Sequence, residues 1–213
     1  MKKWLENYWY HYKWPTVIVA FFLFVAVIGV VQMAGRTNND ALFMYVGDDV
    51  ISDTQYHEIT KALKKITPDN SGNGEVEINF SRTVFYPEPS DTIENQANAA
   101  SSEFLSTMLV QSFYIYLMRA DVYEKYKEAF IPLAEVVPEL PAASPEFFYD
   151  DCAVYLNQTD LAKKNEVFGI FNSAVVLALK TAPYSSSKKV ARSEKAAFSQ
   201  HLSVFRAILA GQN

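Results

Sequence analysis

Residues 42–80, LFMYVGDDVISDTQYHEITKALKKITPDNSGNGEVEINF, change hydrophobic period twice. The run 42–46 is wholly apolar and stops at Gly47, which is the pattern of a strand buried on both faces. Ser52 with Gln55 three places on fits a capping box, in which the hydroxyl and the amide each satisfy one orphan N–H of a helix start. Tyr56, Ile59, Leu63 and Ile66 then recur at helical spacing, and Pro68 closes the helix. The turn formers of 67–74 lead to Val76, Ile78 and Phe80, alternating with Glu75, Glu77 and Asn79. That alternation predicts a half-buried strand, nearer an edge than a centre. A strand, a helix and a second strand in this order predict a parallel pair.

Further along the chain, Asp91 and Glu94 open a second helix whose apolar face is Ile93, Ala97, Ala100, Phe104 and Met108. Residues 113–118, FYIYLM, read as a central strand, followed by a short helix over 122–130 capped by Asp121. Pro132, Pro138, Pro141 and Pro145 punctuate an irregular loop. Residues 152–156 form another strand, and 173–180 read as strand or helix. A terminal helix over 188–210 carries Phe198, Leu202, Phe205 and Leu209 on its face. The alternation of short apolar strands with amphipathic helices predicts an α/β fold with one mixed sheet and helices packed on it.

The opposite end of the chain has a different character. Residues 14–34 carry no charge, and 17–31, VIVAFFLFVAVIGVV, is unbroken apolar sequence. A helix of about 20 residues crosses a hydrocarbon core of about 30 Å. Trp4, Tyr8, Trp9, Tyr10, Tyr12 and Trp14 crowd one flank, where aromatic rings favour the headgroup layer, and Pro15 falls near the first turn of the span. Lys2, Lys3 and Lys13 outweigh Glu6, which places that flank in the cytoplasm. Cleavage after Ala34 would put Gln32 where a signal peptide needs a small residue, so a retained anchor is the better reading. The expected layout is a cytoplasmic segment 1–13, a transmembrane signal anchor 14–34, a spacer 35–41 and an extracytoplasmic α/β domain 42–213. The chain would then be a single-pass protein of the cell membrane, with the lipid bilayer as its partner through 14–34. Residues 104–118 and 167–179 are too short to span and read as core.

The 178 residues after Gly35 suffice for one domain with its own core. Residues 1–35 hold three lysines and one glutamate, so the remainder carries 16 basic against 23 acidic side chains, a formal charge of −7. That balance argues against nucleic acid as a partner. Cys152 is the one cysteine, which excludes an intrachain disulfide, and its neighbours Asp150 and Asp151 disfavour a thiolate.

Few residues suggest chemistry. Asp69, Ser71, Asn73 and Gly74 occupy the first, third, fifth and sixth places of a calcium loop, but the twelfth is Phe80. Calcium at Asp69, Ser71 and Asn73 is the one cofactor reading; a tight turn explains the loop equally well. His11, His57 and His201 lie far apart, with no metal spacing, and no nucleophile elbow or phosphate-binding glycine loop is present. The pairs Asp48–Asp49 and Asp150–Asp151 read as turn residues unless the fold brings them together. Phe147, Phe148 and Tyr149 in a proline-rich loop cannot all face one core, so with Asp150 they are the candidate ligand-binding residues. Lys188, Lys189, Arg192 and Lys195 read as a solvated helix face.

Three stretches together resemble small membrane-anchored bacterial proteins whose exported part is similar to a reduced type 2 periplasmic solute-binding domain. They are 4–24, WLENYWYHYKWPTVIVAFFLF; 42–80, quoted above; and 112–136, SFYIYLMRADVYEKYKEAFIPLAEV. The resemblance covers about two-fifths of the chain and implies a fold like one lobe of a periplasmic-binding protein, with no ligand or catalytic residue to carry over. Full solute-binding proteins have two lobes about a hinge, whereas this domain has room for one lobe and part of a second.

The expected function is a non-catalytic, membrane-tethered binding or interaction module outside the cytoplasm, with a small solute or an envelope protein as partner. The alternative is an accessory subunit of a membrane complex in transport, secretion or envelope assembly, its anchor packed on partner helices. A third reading, an acid- or calcium-dependent hydrolase, predicts that Asp69, Asp150 or Asp151 converge in a pocket.

Overall fold

The computed structural model describes residues 2–34, 39–84, 108, 113–138, 145–171, 174–182 and 188–210. The chain forms two compact units, Met1–Asn38 and Asn39–Asn213. The first is one helix, α1 (Lys2–Ala34), with Pro15 inside it. Pro15 therefore lies in mid-helix rather than in a first turn, because the aromatic flank is itself helical, and the carbonyl four residues earlier loses its intrahelical N–H. Tyr8 stacks on Tyr12 at 5.3 Å, and its hydroxyl shares a 3.1 Å hydrogen bond with the Thr16 hydroxyl. The side chains of residues 17–28 are exposed. Among the described residues no helix is long and apolar enough to cross a membrane.

The second unit is an α/β domain on one five-stranded mixed sheet. Its elements are β1 (Ala41–Gly47), α2 (Asp53–Ile66), β2 (Ile78–Val84), β3 (Ile115–Arg119), α3 (Ala120–Tyr126), α4 (Leu133–Val136), β4 (Ala153–Tyr155), α5 (Asp160–Lys164), β5 (Val175–Leu179) and α6 (Lys188–Ala210). The strand order is β2-β1-β3-β5-β4. β1 pairs in parallel with β2 (Ala41 opposite Ile78) and with β3 (Phe43 opposite Ile115). β5 is antiparallel to both β3 (Leu117 opposite Leu177) and β4 (Val154 opposite Leu177). The strand expected around Val76 starts two residues later, because β1 offers its first partner at Ala41. The end of the expected spacer is interior: Ala41 opens β1, and Asp40 and Ala41 are both buried.

The alternation of the strands divides the core. Phe43, Tyr45, Ile115, Leu117 and Leu177 enter one cluster together with Ile59 and Leu63 of α2 and Phe205 and Ile208 of α6. Met44, Val46, Tyr116, Met118 and Val176 enter another, with Val122 and Tyr123 of α3 and with Met108. Each face of the sheet is therefore apolar, which is why the central strands read as continuous hydrophobic runs. The face of α6 includes His201 beside the expected Phe198, Leu202, Phe205 and Leu209.

The helix starts are local chemistry. Ser52 caps α2, accepting the Gln55 N–H while its own N–H donates to the Gln55 side chain at 2.9 Å. Asp121 does not cap α3: the N-cap is Arg119, since β3 runs straight into the helix without a loop. Asp121 sits in the first turn, where its carboxylate accepts the Val122 N–H at 2.9 Å. Residues 173–180, readable as strand or helix, hold strand β5 because partners flank it on both sides. The helix expected from Asp91 and Glu94 lies outside the described residues apart from Met108, which is helical.

Candidate functional site

A cleft of about 980 Å³ opens beside the β4 edge of the sheet. One wall is apolar, formed by Pro132, Leu133, Val137, Pro138 and Phe148; the charged groups are Lys127, Asp150 and Asp151. The chain reaches this edge twice. After α3 it runs along β5, where the Ile131 N–H donates to the Leu179 carbonyl at 3.0 Å, and the Leu133 N–H then donates to the Asp151 carbonyl at 2.8 Å. Before β4 it folds back on itself, with Phe148 bridging Val154 and the Tyr149 N–H donating to the Ala153 carbonyl at 3.0 Å.

Asp150 organises that turn. Its Oδ1 accepts the N–H groups of Cys152 at 2.7 Å and Ala153 at 2.9 Å. The Tyr123 hydroxyl donates to the same carboxylate at 3.0 Å, and the Lys127 ammonium lies 2.8 Å from Oδ2. Burial pushes the Asp150 carboxyl up, but Lys127, the Cys152 N–H and Tyr123 outweigh it and hold it below the usual carboxylate range. The same contacts push the Tyr123 phenol far up, first through burial and then through Asp150. Burial and the Asp150 charge also push the Cys152 thiol up, so it is a thiol and not a thiolate at neutral pH. Asp151 behaves differently: its side chain is exposed and, among the described residues, has no hydrogen-bond or ion partner.

The four candidate ligand residues therefore divide. Phe148 and Asp150 line the cleft. Phe147 packs edge-on against Phe148 at 5.3 Å, and Tyr149 packs edge-on between Tyr123 at 5.6 Å and Tyr155 at 5.3 Å. Burial, and then Glu124, raise the Tyr149 phenol to about 12.

Asp69, Ser71 and Asn73 form one turn at the other edge of the sheet. Asp69 accepts the Gly72 N–H at 2.6 Å and the Gly74 N–H at 2.8 Å, and Asn73 accepts the Glu75 N–H at 2.8 Å. Gly72 and Gly74 hold φ of 70° and 86°, a region that side chains disfavour. The N–H groups hold the Asp69 carboxyl below its ordinary value, Gly74 contributing most. Phe80, the twelfth place of a calcium loop, is buried in β2. The anchor of this turn is Asp40, which sequence reasoning assigned to the spacer: its buried carboxylate accepts the N–H groups of Ser71 at 2.6 Å and Glu77 at 2.7 Å. Asp69 precedes β2 and Asp150 precedes β4, on opposite sides of a five-stranded sheet. Strand spacing alone separates them by roughly 19 Å, so Asp69 does not join Asp150 and Asp151, which line one cleft.

Two further charged groups went unnoticed in the sequence. At the carboxyl ends of β1 and β3 the connections leave in opposite directions, a topological switch point. There Arg119 is gripped by Asp48 and, through paired contacts of 2.6 and 2.5 Å, by Asp121; its Asp121 bonds push the guanidinium further up. Beside it the buried Tyr45 hydroxyl donates to Asp49 at 2.5 Å. At the other end of β5 the buried Lys180 donates to the Met108 carbonyl at 2.7 Å and lies 5.4 Å from the centre of the Tyr114 ring. Burial lowers its ammonium from 10.5 to about 8. No short motif marks either group: Asp121 lies two residues from Arg119, but Asp48 and the partners of Lys180 are distant in sequence. No protein-family model, no curated protein and no solved structure matches this chain.

Proposed function

We propose that the chain is a membrane-tethered binding module, non-catalytic, whose domain lies outside the cytoplasm and whose site is the cleft beside β4. The observation that carries this reading is the cleft itself: about 980 Å³ of space with an apolar wall and a few fixed polar groups, the make-up of a small-molecule site. The chemistry of its lining supports binding over turnover. Asp150 is occupied by N–H, phenol and ammonium donors, and the neighbouring Cys152 is held protonated. The anchor is supported by the 33-residue helix α1 and its uncharged stretch 14–34. The resemblance to a single lobe of a type 2 periplasmic solute-binding domain agrees with the α/β sheet and adds solute capture as the role.

Two measurements test this reading. Val50 is 91% exposed, so Val50→Cys in a Cys152→Ala background gives one accessible thiol. A membrane-impermeant maleimide should label it in intact cells, and labelling only after lysis overturns the orientation. The full chain in lipid nanodiscs should gain melting temperature with at least one compound of a panel of sugars, amino acids, amines and divalent cations. Ala134→Trp, which places a large ring at the exposed edge of the cleft, should abolish that gain. A gain that survives Ala134→Trp places binding elsewhere and refutes the cleft as the site.

A further inference from the structure

We infer that the cleft beside β4 selects a small monocation with an apolar body, a protonated hydrophobic amine, with Asp151 as the residue that reads its charge. The inference rests on the cleft being the binding site and adds the class of ligand.

Charge comes first. Lys127 and Asp150 neutralise one another at 2.8 Å, and Asp150 is further occupied by two N–H groups and a phenol. Asp151 is the lining charge left over, exposed and without a partner among the described residues. Among the described residues, a ligand entering the cleft therefore meets one uncompensated carboxylate beside an apolar wall. A carboxylate ligand would have to draw Lys127 away from Asp150 and approach Asp151 at the same time.

Backbone chemistry then separates a small molecule from a peptide. A peptide laid in a cleft must satisfy its own N–H and C=O groups. Five backbone donors along this wall are already used: Leu133 donates to Asp151, Glu135 to Pro132, Val137 to Leu133, and both Tyr149 and Asp150 to Ala153. Pro132 and Pro138 have no N–H to offer. The wall accepts hydrocarbon and offers no continuous ladder, which favours an amine on an aryl or alkyl body over an extended peptide.

The test uses the full chain in nanodiscs with methyl-labelled leucine, valine and alanine, read by NMR at Leu133, Ala134 and Val137, with empty nanodiscs as the partition blank. Three probes share one body: phenethylammonium, phenethyl alcohol and phenylacetate. Phenethylammonium should shift these methyl groups and bind about fivefold more tightly than the alcohol, the worth of one exposed ion pair. Phenylacetate should bind most weakly. Asp151→Asn removes a charge with no partner among the described residues, and it should bring phenethylammonium down to the alcohol's affinity while leaving the alcohol unchanged. Equal binding of amine and alcohol, or a preference that survives Asp151→Asn, overturns the assignment of charge selection to Asp151 while leaving the cleft as a site. Failure of all three probes to shift the cleft methyl groups overturns the cleft reading itself.

Discussion

Replacing Lys180 by methionine should make the domain more stable at neutral pH and erase a distinctive alkaline rise in stability. Lys180 follows the buried strand β5, is 8% exposed, and donates to the Met108 carbonyl at 2.7 Å. Its folded value is about 8 against 10.5 for the free group. Below pH 8 both folded and unfolded chains carry the charge, and the folded state bears the whole desolvation cost, about 3 kcal/mol for a shift of this size. Between pH 8 and 10.5 the unfolded chain alone keeps the proton, so stability climbs with pH, by about 2 kcal/mol from pH 8 to pH 10. Methionine removes the charge but orphans the Met108 carbonyl, at about 1 kcal/mol, leaving a net gain of roughly 2 kcal/mol at pH 7. The raised Cys152 thiol and Tyr114 phenol pull stability the other way at alkaline pH, so the measurement is the difference between wild type and Lys180→Met at each pH. Trp4, Trp9 and Trp14 all lie in α1, so tryptophan emission does not follow this domain; urea unfolding should be read by tyrosine near-ultraviolet circular dichroism. If the difference between the two proteins stays constant from pH 7 to pH 10, the account of a buried, strained ammonium is wrong.

Three other outcomes follow from the same structure. Asp40→Ala strips two short backbone acceptor bonds from a buried position and should cost about 3 kcal/mol in urea unfolding, with Asp40→Asn recovering part of it. Ser52→Ala removes the α2 cap and should cost about 1 kcal/mol, with no change in the pH profile. His201 is held neutral, chiefly by burial, with its Nε2 accepting the Leu42 N–H at 2.9 Å. Its folded value lies below the unfolded 6.5, so its stabilisation is complete above pH 6.5 and is lost as pH falls from there through the folded value. His201→Gln should flatten that acid limb in thermal melts between pH 7 and pH 5, and an unaltered limb would assign it to other groups.

The parts of the fold legible in the sequence are those built from neighbours. The elements of the β1–α2–β2 unit, the Ser52–Gln55 box and the span Lys188–Ala210 follow from spacing, because each element shows its own hydrophobic period or cap within a few residues. The direction of β5 was not legible: an apolar run buried on both faces looks the same whether its neighbours run with it or against it. Phe148 and Asp150, which stand out in the sequence as an aromatic and an acid in a proline-rich loop, line the cleft. Lys127, the partner of Asp150, was not legible, since in sequence it is one more lysine on a charged short helix. Asp40 reads as spacer for a similar reason: its two donors lie 31 and 37 residues away. The acid pairs Asp48–Asp49 and Asp150–Asp151 do not converge but split roles, one member of each held by a cation.

The hydrogen bond from Leu42 to His201 closes a gap of 159 residues. A ribosome makes β1 almost as soon as the N-terminal helix is finished, yet the first N–H of that strand ladder outside the reach of β3 waits for a side chain synthesised far later. Until then β1 has one N–H of its ladder unpaired, and the part of the sheet that α6 covers stays bare. A chain delivered N-terminus first must therefore be held open, or kept from its neighbours, for most of its synthesis. Nascent chains arrested before residue 201 should be disproportionately sensitive to protease.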